Sequence, residues 1–346
     1  MSLSSVPAAG PGAATVGPVG PTPPVDEILE LACRAPSIHN TQPWTWRVRG
    51  PRIDLFADFR RQLVYADPAR RDLLVSCGAA LHHLQVASAG LGWAARVRRC
   101  PDGGDERHLA SVQLRPARPH AEALAQLEAL TTRRTDRRRL TSWPVPAERL
   151  QALAATGSGW GAQVLPVLDA AVRGRLDSLT VQADRVQRRN ERYLAELAAW
   201  TDPSPVEGVP SSLRPARPTD DRPDPLGVLD PSRRFPSGSL PDPVAEPEPP
   251  EDGMLLVCTS SDDTLSRLRA GEALSATWLH ATREGMSAVP LSQVTEVDET
   301  RRVLQGDVLG DLAFPQVLVR VGWLPLSSPG LPRSPRRRLD EVRTLG

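Results

Sequence analysis

Hydrophobic positions along the chain follow the periods of helices and strands, and the first region with such periods begins near Val25. Apolar residues spaced three and four apart indicate an amphipathic helix, whereas alternate apolar residues indicate a strand with one buried face. The elements predicted for this region are a helix over 26–35 that Pro36 ends, strands over 44–48 and 53–57, an apolar helix that runs to Gly90 and Gly92, and strands over 94–100 and 108–116.

A second region near the other end repeats the order of helix, glycine, strand, turn and strand. Its elements are a helix over 270–286 and strands over 287–294 and 314–323. At an offset of 193 residues, Gly78 aligns with Gly271 and Gly92 aligns with Gly285. Two related halves would explain the agreement and would place a cleft at their junction, where ligand sites are common. Coincidence would also explain it, because helices rich in small residues commonly end in glycine.

The stretch between the two regions changes character after Thr201. Residues 175–200 carry an apolar stripe that predicts one long helix. Residues 202–252 contain 14 prolines and 11 acidic residues, a composition that opposes both helix and sheet. Such a segment is either a disordered linker or a functional loop that covers part of the fold. Since a buried strand pattern resumes at 255–261, the fold continues beyond the insert.

Composition excludes several classes of chemistry. The chain has 346 residues, of which 40% are apolar, so it can bury a substantial core. All 42 basic residues are arginine, which excludes a Walker lysine, a pyridoxal Schiff base and a lysine nucleophile. The formal net charge of +1, with both signs intermixed, argues against nucleic acid and membrane surfaces as partners.

The N-terminal residues and the cysteines bear on where the protein is found. Residues 1–24 contain several prolines and lack a basic n-region, so we expect a disordered leader and not a signal peptide. The cysteines show neither CxxC nor metal-ligand spacing, and they lie among apolar or small neighbours, as buried free thiols do. We therefore expect a cytoplasmic protein without a metal site.

The stretch "APSIHNTQPWTWRV", residues 35–48, places four consecutive hydrogen-bonding side chains before an apolar strand. His39 would be suited to acid/base chemistry, but a histidine hydrogen-bonded within the protein is the more common role. We expect Gln42 to stabilise its own turn. The polar residues predict a recognition surface at the entrance of the strand.

The arginine-rich segment "TTRRTDRRRL" is a second candidate for recognition. In an extended conformation Arg133, Thr135 and Arg137 project to the same side. This trio suits a phosphate monoester, because guanidinium groups bind phosphate oxygens in pairs and threonine adds a neutral donor. A solvated basic turn is the alternative, and it applies equally to the arginines of residues 333–342.

The two stretches together resemble one known family. "PSIHNTQPW" resembles the P-S-x-x-N-x-Q-P-W segment of the FMN-dependent nitroreductases, and "RRTDR" resembles their R-R-S-x-R phosphate motif. In ordinary nitroreductases the arginine motif comes first, whereas here the order is inverted and about ninety residues separate the two. Together with "SCGAALHHLQVASAGLG" and "SPRRRLDEV", the inversion resembles the Acg-type branch of actinobacterial nitroreductase-like proteins, over about residues 25–345.

The resemblance implies an α+β, nitroreductase-like fold whose two related halves form an internal pseudo-dimer, with mixed or antiparallel sheets packed by helices. The halves would span residues 25–125 and 126–346, and the proline-rich insert at 202–252 would cover the site. Each half would then supply what one subunit of a nitroreductase dimer supplies to a single flavin.

The resemblance also assigns residues to an FMN site. Arg133 and Thr135 match positions that hold the phosphate, and Arg137 matches a position beside the pyrimidine edge of the ring. The other matched residues are Pro36, Ser37 and Asn40 along the isoalloxazine, Pro290, Ser292 and Gln293 near flavin N5, and Arg336 and Arg337 closing over the phosphate. The family has an acidic residue and a glycine where Ser292 and Gln293 stand, so this sequence departs from the pattern near N5.

The activity that the resemblance implies is hydride transfer from NAD(P)H through flavin N5 to a small electron-poor acceptor, such as a quinone or a nitro compound. No side-chain nucleophile is required, and no catalytic residue is assigned. The alternative is a protein that stores or sequesters FMN, which the altered loop near N5 and a covering insert would both favour. A polyproline-recognition scaffold is weaker, because PxxP spacing arises readily in this composition. We expect a monomer or a weak homodimer.

Overall fold

The computed structural model describes residues 21–101, 103–216, 233, 235–236, 238–241 and 251–345. Within these ranges the helices are α1 (Val25–Ala32), α2 (Arg71–Gly90), α3 (Ala121–Thr132), α4 (Ala147–Ser158), α5 (Ala170–Arg188), α6 (Glu191–Ala199), α7 (Thr264–Arg283), α8 (Gln293–Glu296), α9 (Asp298–Val303) and α10 (Leu339–Val342). The strands are β1 (Trp44–Arg49), β2 (Arg52–Ala57), β3 (Trp93–Arg99), β4 (His108–Pro116), β5 (Gln163–Pro166), β6 (Gly253–Thr259), β7 (Ser287–Leu291), β8 (Phe314–Gly322) and β9 (Arg343–Leu345). None of the described helices is long and apolar enough to cross a membrane.

The first sheet has the strand order β3-β4-β2-β1-β9. Its strands pair antiparallel except at one edge, where β9 from the end of the chain runs parallel to β1. Trp44 and Trp46 of β1 lie two residues apart, so they point to the same face, and both are completely buried in the core that α1 and α2 cover. The leader expected over residues 1–24 lies outside the described residues, apart from 21–24.

The second sheet has the order β5-β6-β8-β7 and is antiparallel throughout. Strand β6 is buried along its whole length, because one face packs against α4 and α7 and the other against α5 and α8. This order matches β1-β2-β4-β3 of the first sheet when β5, β6, β7 and β8 are equated, in chain order, with β1, β2, β3 and β4. The combination of a mixed and an antiparallel sheet with packed helices is the architecture predicted from the sequence.

The central helices α2 and α7 relate the two halves most directly. Helix α7 begins and ends 193 residues after α2, the offset found in the sequence. The helices cross at Gly78 and Gly271, where a Cβ on either glycine would lie 2.0 Å from a backbone carbonyl oxygen of the opposite helix. Those carbonyls belong to Leu268 and Val75, which are themselves 193 residues apart. The sequence repeat is therefore a structural repeat about a pseudo-twofold axis, and the internal pseudo-dimer is confirmed.

Helix α3 joins the two halves. It packs against both α2 and α7. The boundary expected between residues 125 and 126 falls within this helix. The division of the chain into two units at that point remains a prediction.

The single helix predicted over residues 175–200 is wrong, because the chain breaks between α5 and α6. The Asn190 side-chain oxygen accepts hydrogen bonds from the backbone amides of Arg192 and Tyr193, at 3.1 and 3.2 Å, and so starts a new helix. An apolar stripe does not reveal such a break, since the period continues across it. The change of direction packs Tyr193 against Leu63 of the first half.

Candidate functional site

A cavity opens where the two halves meet. About 770 Å³ of space lies between its lining atoms, part of it open to solvent. Its apolar walls are Val75, Ala79, Leu274, Trp278, Val289, Leu291 and Val317, and its polar walls are Ser37, His39, Asp72, Ser76, Thr135, Arg137, Arg233 and Ser292. The cavity depends on both halves, because α2 contributes one wall and α7, β7 and β8 contribute the opposite one.

A smaller cavity adjoins the first and shares Pro36, Ser37, Thr135 and Arg137 with it. Its other lining residues are Asn40, Gly208, Val209, Leu213, Ser334 and Arg336. Two guanidinium groups and three hydroxyl groups thus line this space, and its described walls include no acidic side chain. Most of the apolar lining therefore belongs to the larger cavity, whereas polar and cationic side chains dominate the smaller one.

The turn that follows α1 carries three non-glycine residues in the left-handed region: His39, Asn40 and Gln42 have φ of 44°, 55° and 49°. Each such conformation costs on the order of 1 kcal/mol or more and persists only where neighbouring contacts hold it. The Ser76 hydroxyl accepts from the amide of Ile38 at 3.1 Å, and the Ser37 hydroxyl accepts from the amide of Gln42 at 3.0 Å. Strain concentrated at a cavity wall is typical of functional sites.

His39 differs from the hydrogen-bonded structural histidine expected from the sequence. The residue is only 5% exposed, and neither ring nitrogen has a hydrogen-bond partner among the described residues. Burial, together with the positive charges of Arg233 and Arg137, holds the pKa of His39 well below its usual range. A neutral imidazole therefore faces the cavity, with its edge toward the ring of Phe235 at a centroid distance of 5.7 Å.

Asn40 and Gln42 tie the turn to distant segments. The Asn40 amide donates to the carbonyls of Gly208 and Pro335, both at 3.0 Å, and its oxygen accepts from Arg336. The Gln42 amide donates to the carbonyl of Val206 at 2.9 Å. Described residues of the proline-rich insert are thereby held against the first half. Asn40 lines the smaller cavity with both amide hydrogens already donated to the protein, and its contact with a flavin remains a prediction.

Arg336 is committed to the protein. Its five N–H groups donate to the carbonyls of Cys33–Ala35 at the end of α1, to the Asn40 side chain and to the Pro335 carbonyl, at 2.8–3.0 Å. Burial lowers the pKa of Arg336 to about 10. Arg337 lies to one side, where its guanidinium donates to the carbonyls of Gln42 and Glu341. Of the predicted pair, only Arg336 lines a cavity, and it contributes charge rather than free donors.

The arginine segment divides between core and cavity. Arg133 is buried over the Trp278 ring, with its guanidinium carbon 4.6 Å from the ring centroid, and it lines neither cavity. Two of its nitrogens lack a described partner, and burial with the neighbouring Arg336 charge lowers its pKa to about 9. Thr135 and Arg137 line both cavities. Arg137 donates no hydrogen bond to a described residue, and burial and Arg233 lower its pKa to about 10.

The loop after β7 brings two of its three predicted residues to the cavity. Pro290 and Ser292 line it, whereas Gln293 turns toward α5 and donates to Gln187 at 3.0 Å. The Ser292 hydroxyl donates to the Glu296 carboxylate at 2.6 Å. Glu296 lies one helical turn after the position where the family has its acid, so a carboxylate still reaches the loop.

Sequence reasoning did not single out Asp72, Arg233 or Phe235, which line the larger cavity, nor Glu296, whose carboxylate accepts from Arg233. Arg233 pairs with the buried Glu296 carboxylate, and the insert is thereby joined to α8. Asp72 was hidden because acidic residues are ordinary in the first turn of a helix. The arginine and aromatic residues in "RRFP" were the available signal for Arg233 and Phe235, since such side chains are unusual in a solvated linker.

The chain is similar over nearly its whole length to proteins of Mycobacterium tuberculosis strain H37Rv. It is 40% identical over 321 residues to "Putative NAD(P)H nitroreductase Rv3131", a match that covers 92% of this chain and 90% of that protein. It is 32% identical over 323 residues to "Putative NAD(P)H nitroreductase acg", with 92% and 94% covered. The chain therefore belongs to this family of NAD(P)H nitroreductases, in its Acg-type branch, and is an oxidoreductase. The family predicted from the two motifs is confirmed.

No family model matches the chain. Among solved structures it is similar to the FMN-dependent nitroreductase NfnB from Mycobacterium smegmatis in complex with NADPH, at 17% identity and a TM-score of 0.42, with 64% of this chain and 97% of that chain covered. It is also similar to a nitroreductase with bound FMN from Bacteroides fragilis, at 14% identity and a TM-score of 0.38, with 60% and 93% covered. At these identities and TM-scores, the likenesses do not by themselves assign a function to the chain.

Proposed function

We propose that the chain binds one FMN across the two joined cavities and uses NAD(P)H to reduce a small electron-poor acceptor, such as a quinone or a nitro compound. The observation that carries the proposal is the pairing of a larger cavity, whose walls from both halves include a broad apolar surface, with an adjoining pocket that carries two guanidinium and three hydroxyl groups. FMN has the same division, with a flat ring system at one end and a phosphate at the other. The names of the relatives support NAD(P)H as the reductant.

The cationic end fits a phosphate. Arg137 is a half-buried cation with its guanidinium carbon 5.2 Å from the centroid of the Phe235 ring, and it donates no hydrogen bond to a described residue. Its lowered pKa reflects the cost of holding that charge away from water. An anionic ligand would accept charge-assisted hydrogen bonds from Arg137 and a further bond from the Thr135 hydroxyl. Arg336 adds positive charge from the opposite wall. Arg133, which lies over the Trp278 ring and outside both cavities, would add to the same positive field.

The apolar end fits the ring system. Trp278, Leu274 and Val75 would pack against it, while Pro290 and Ser292 would lie at its edge. When bound there, FMN would supply the hydride-transfer chemistry of the reaction. The residues of the chain would orient the ring and exclude water, a role consistent with the apolar walls from both halves.

A direct test is to purify the protein and look for flavin absorbance, then to titrate it anaerobically with NADH and NADPH. We expect a yellow protein that the nicotinamide bleaches and that a quinone reoxidises. A colourless protein that FMN cannot reconstitute would contradict the proposal. A yellow protein that neither nicotinamide bleaches would support storage of FMN instead, a function that the Phe235 and Arg233 side chains at the cavity would help by excluding nicotinamide.

The phosphate assignment is tested with Arg137→Ala. Each charged hydrogen bond contributes about 1.5–3 kcal/mol, so we expect FMN affinity to fall at least tenfold for each bond lost. Arg115→Ala is the matched control, because Arg115 is an exposed residue of β4 outside both cavities. Equal FMN affinity in the two variants would refute the role of Arg137.

A further inference from the structure

Asp72 is an acidic residue of the larger cavity, and it lies in the first turn of α2. An acid in that turn commonly accepts hydrogen bonds from the free backbone amides of the helix. Here Asp67 does so, because its two carboxylate oxygens accept from the amides of Arg71 and Leu73 at 2.7 and 2.8 Å. Asp72 is thereby left to face the cavity.

The Asp72 residue is largely buried, and its carboxyl group has no hydrogen-bond donor among the described residues. The residue is 5% exposed, and its backbone carbonyl accepts from Ser76, but its carboxyl oxygens accept from no described residue. Buried polar side chains in proteins almost always have a partner. A buried carboxyl group without one, at the wall of a cavity, is available to a ligand.

Charged groups face Asp72 from several elements. Asp67 precedes α2 and Glu296 lies in α8, so two carboxylates add negative charge nearby. Burial, reinforced by these two groups, raises the pKa of Asp72 well above its usual range, and the charges of Arg71 and Arg233 oppose the rise only in part. The raised pKa favours the protonated form of Asp72, which is able to donate a hydrogen bond.

Neither neighbouring cation pairs with Asp72. Arg71 donates to the carbonyl of Thr295 at 3.1 Å and lies 3.5 Å from the carboxylate of Asp262. Arg233 is paired with Glu296 and donates to the Tyr193 hydroxyl. The other titratable groups at the same cavity, His39 and Arg137, carry no negative charge that would compete for the proton.

We propose that Asp72 is a catalytic acid of this site, which hydrogen-bonds an oxygen of the electron acceptor and protonates it during reduction. The inference rests on the proposed function. A quinone that becomes a hydroquinone gains one hydrogen as hydride, with two electrons, and needs one proton besides. In this step the O–H bond of Asp72 breaks, an O–H bond forms on the acceptor oxygen, and the Asp72 carboxylate regains a proton from water.

The first experiment observes the proton without turnover. At about pH 7.5 the infrared spectrum of the protein should contain the carbonyl band of a protonated carboxylic acid, and Asp72→Asn should lack that band. Asp67 does not interfere, because its pKa is raised only to about 6 by burial, so it is ionised at that pH. A spectrum without the band, or a band that persists in Asp72→Asn, would overturn the proposal.

Thermal unfolding shows whether the variant folds, and its pH dependence gives a second, independent measure of whether Asp72 is protonated. Unfolded aspartate loses its proton near pH 3.9, whereas the pKa of Asp72 in the folded protein is raised, so the contribution of this one group to stability falls as the pH rises above about 4. Asp72→Asn has no such cost. We expect the variant to melt at the higher temperature at neutral pH, by a margin that shrinks as the pH falls toward 4. An unchanged margin across this range would contradict a retained proton.

The third experiment separates the two half-reactions under anaerobic conditions. NAD(P)H should reduce the flavin of Asp72→Asn at a rate within about twofold of the natural protein, whereas reoxidation by a benzoquinone should slow by roughly 10²–10⁴-fold, the usual contribution of a general acid. Asp72→Glu should restore part of the rate. Asp105→Asn, at an exposed residue paired with Arg107, should leave both rates unchanged.

The outcomes distinguish the two proposals. If the natural protein holds no flavin, or if NAD(P)H does not bleach it, the proposed function fails and the acid role fails with it. If the flavin is reduced normally but the benzoquinone reoxidises Asp72→Asn as fast as the natural protein, the acid role alone is overturned.

Discussion

Glu272 provides a sharp test of how the two halves are joined. Its carboxylate is completely buried in α7 and accepts two hydrogen bonds from Arg99, both at 2.7 Å, and one from Gln85 at 2.8 Å. At the 193-residue offset, Glu272 corresponds to Ala79 and Arg99 corresponds to Ser292, both of which line the cavity. The Arg99–Glu272 ion pair therefore occupies the position that is equivalent, by the pseudo-twofold repeat, to the cavity of the other half.

Replacing only one member of this pair should be costly. Glu272→Ala leaves the guanidinium of Arg99 unpaired, and removal of one partner from a buried pair costs about 3–5 kcal/mol. The Arg99 side chain is 23% exposed, so it retains some access to water, and we expect a loss near 3 kcal/mol. The double variant Arg99→Leu/Glu272→Met replaces the pair with apolar groups of similar volume and should recover most of that loss.

The assay is urea unfolding followed by circular dichroism, with the free energy of unfolding extrapolated to water for the natural protein, Glu272→Ala and the double variant. The reasoning is refuted if Glu272→Ala costs less than about 1 kcal/mol. It is also refuted if the double variant is as unstable as the single one, because the cost would then come from lost volume and not from the stranded charge of Arg99.

Three further predictions concern packing, pH and the C-terminal segment. Gly78→Ala should destabilise the protein by several kcal/mol in urea unfolding, because the new Cβ would lie 2.0 Å from the Leu268 carbonyl oxygen. The control Gly174→Ala lies in open space within α5 and should stabilise the protein by up to about 1 kcal/mol, so similar changes in stability for the two variants would refute the helix crossing. Burial would raise the pKa of Asp262, but hydrogen bonds from Arg267 and Gln316 and nearby arginine charges outweigh burial and lower that pKa. This carboxylate therefore stabilises the fold above about pH 4, and its contribution is lost as the pH falls. Asp262→Asn should be less stable than the natural protein at pH 7, and the difference in stability should narrow in acid. Arg336→Lys retains at most three of the five N–H donors, so the free energy of unfolding should fall by at least about 3 kcal/mol, since each lost bond to the charged group costs about 1.5–3 kcal/mol. An unchanged free energy of unfolding would refute the role of Arg336 in holding α1.

The proline-rich insert illustrates how local and distant information differ. Its composition predicts a segment without helix or sheet ladders, and the described residues contain only a short helical turn at Ser211–Leu213 and isolated bridges. The choice between linker and cover was open from the sequence. In the structure, carbonyls of Val206 and Gly208 accept from the turn after α1, and Phe235 reaches the cavity. The described part of the insert therefore lies against the site, while the rest of its covering role remains a prediction.

The elements themselves were largely predictable. Strand β4 coincides with the predicted residues 108–116, and β8 agrees to within one residue, because apolar periodicity is a local property. The repeat was visible as an offset of glycines, although only the close approach of Gly78 and Gly271 shows why glycine is needed there. The break at Asn190 was missed because the helical period continues through it.

The sequence by itself determined the family, the alternation of helices and strands, the internal repeat and several of the polar residues at the cavities. Only the tertiary structure decided which polar side chains are free for a ligand. Arg336 uses its donors on carbonyls about 300 positions away in the chain, whereas Arg137, in a segment that looks no different, uses none on the described residues. A hydrogen bond depends on the distance between segments that can be far apart in the sequence, and no local pattern specifies that distance. The motifs therefore identify candidate residues, and the fold determines which of their polar groups remain available to a ligand.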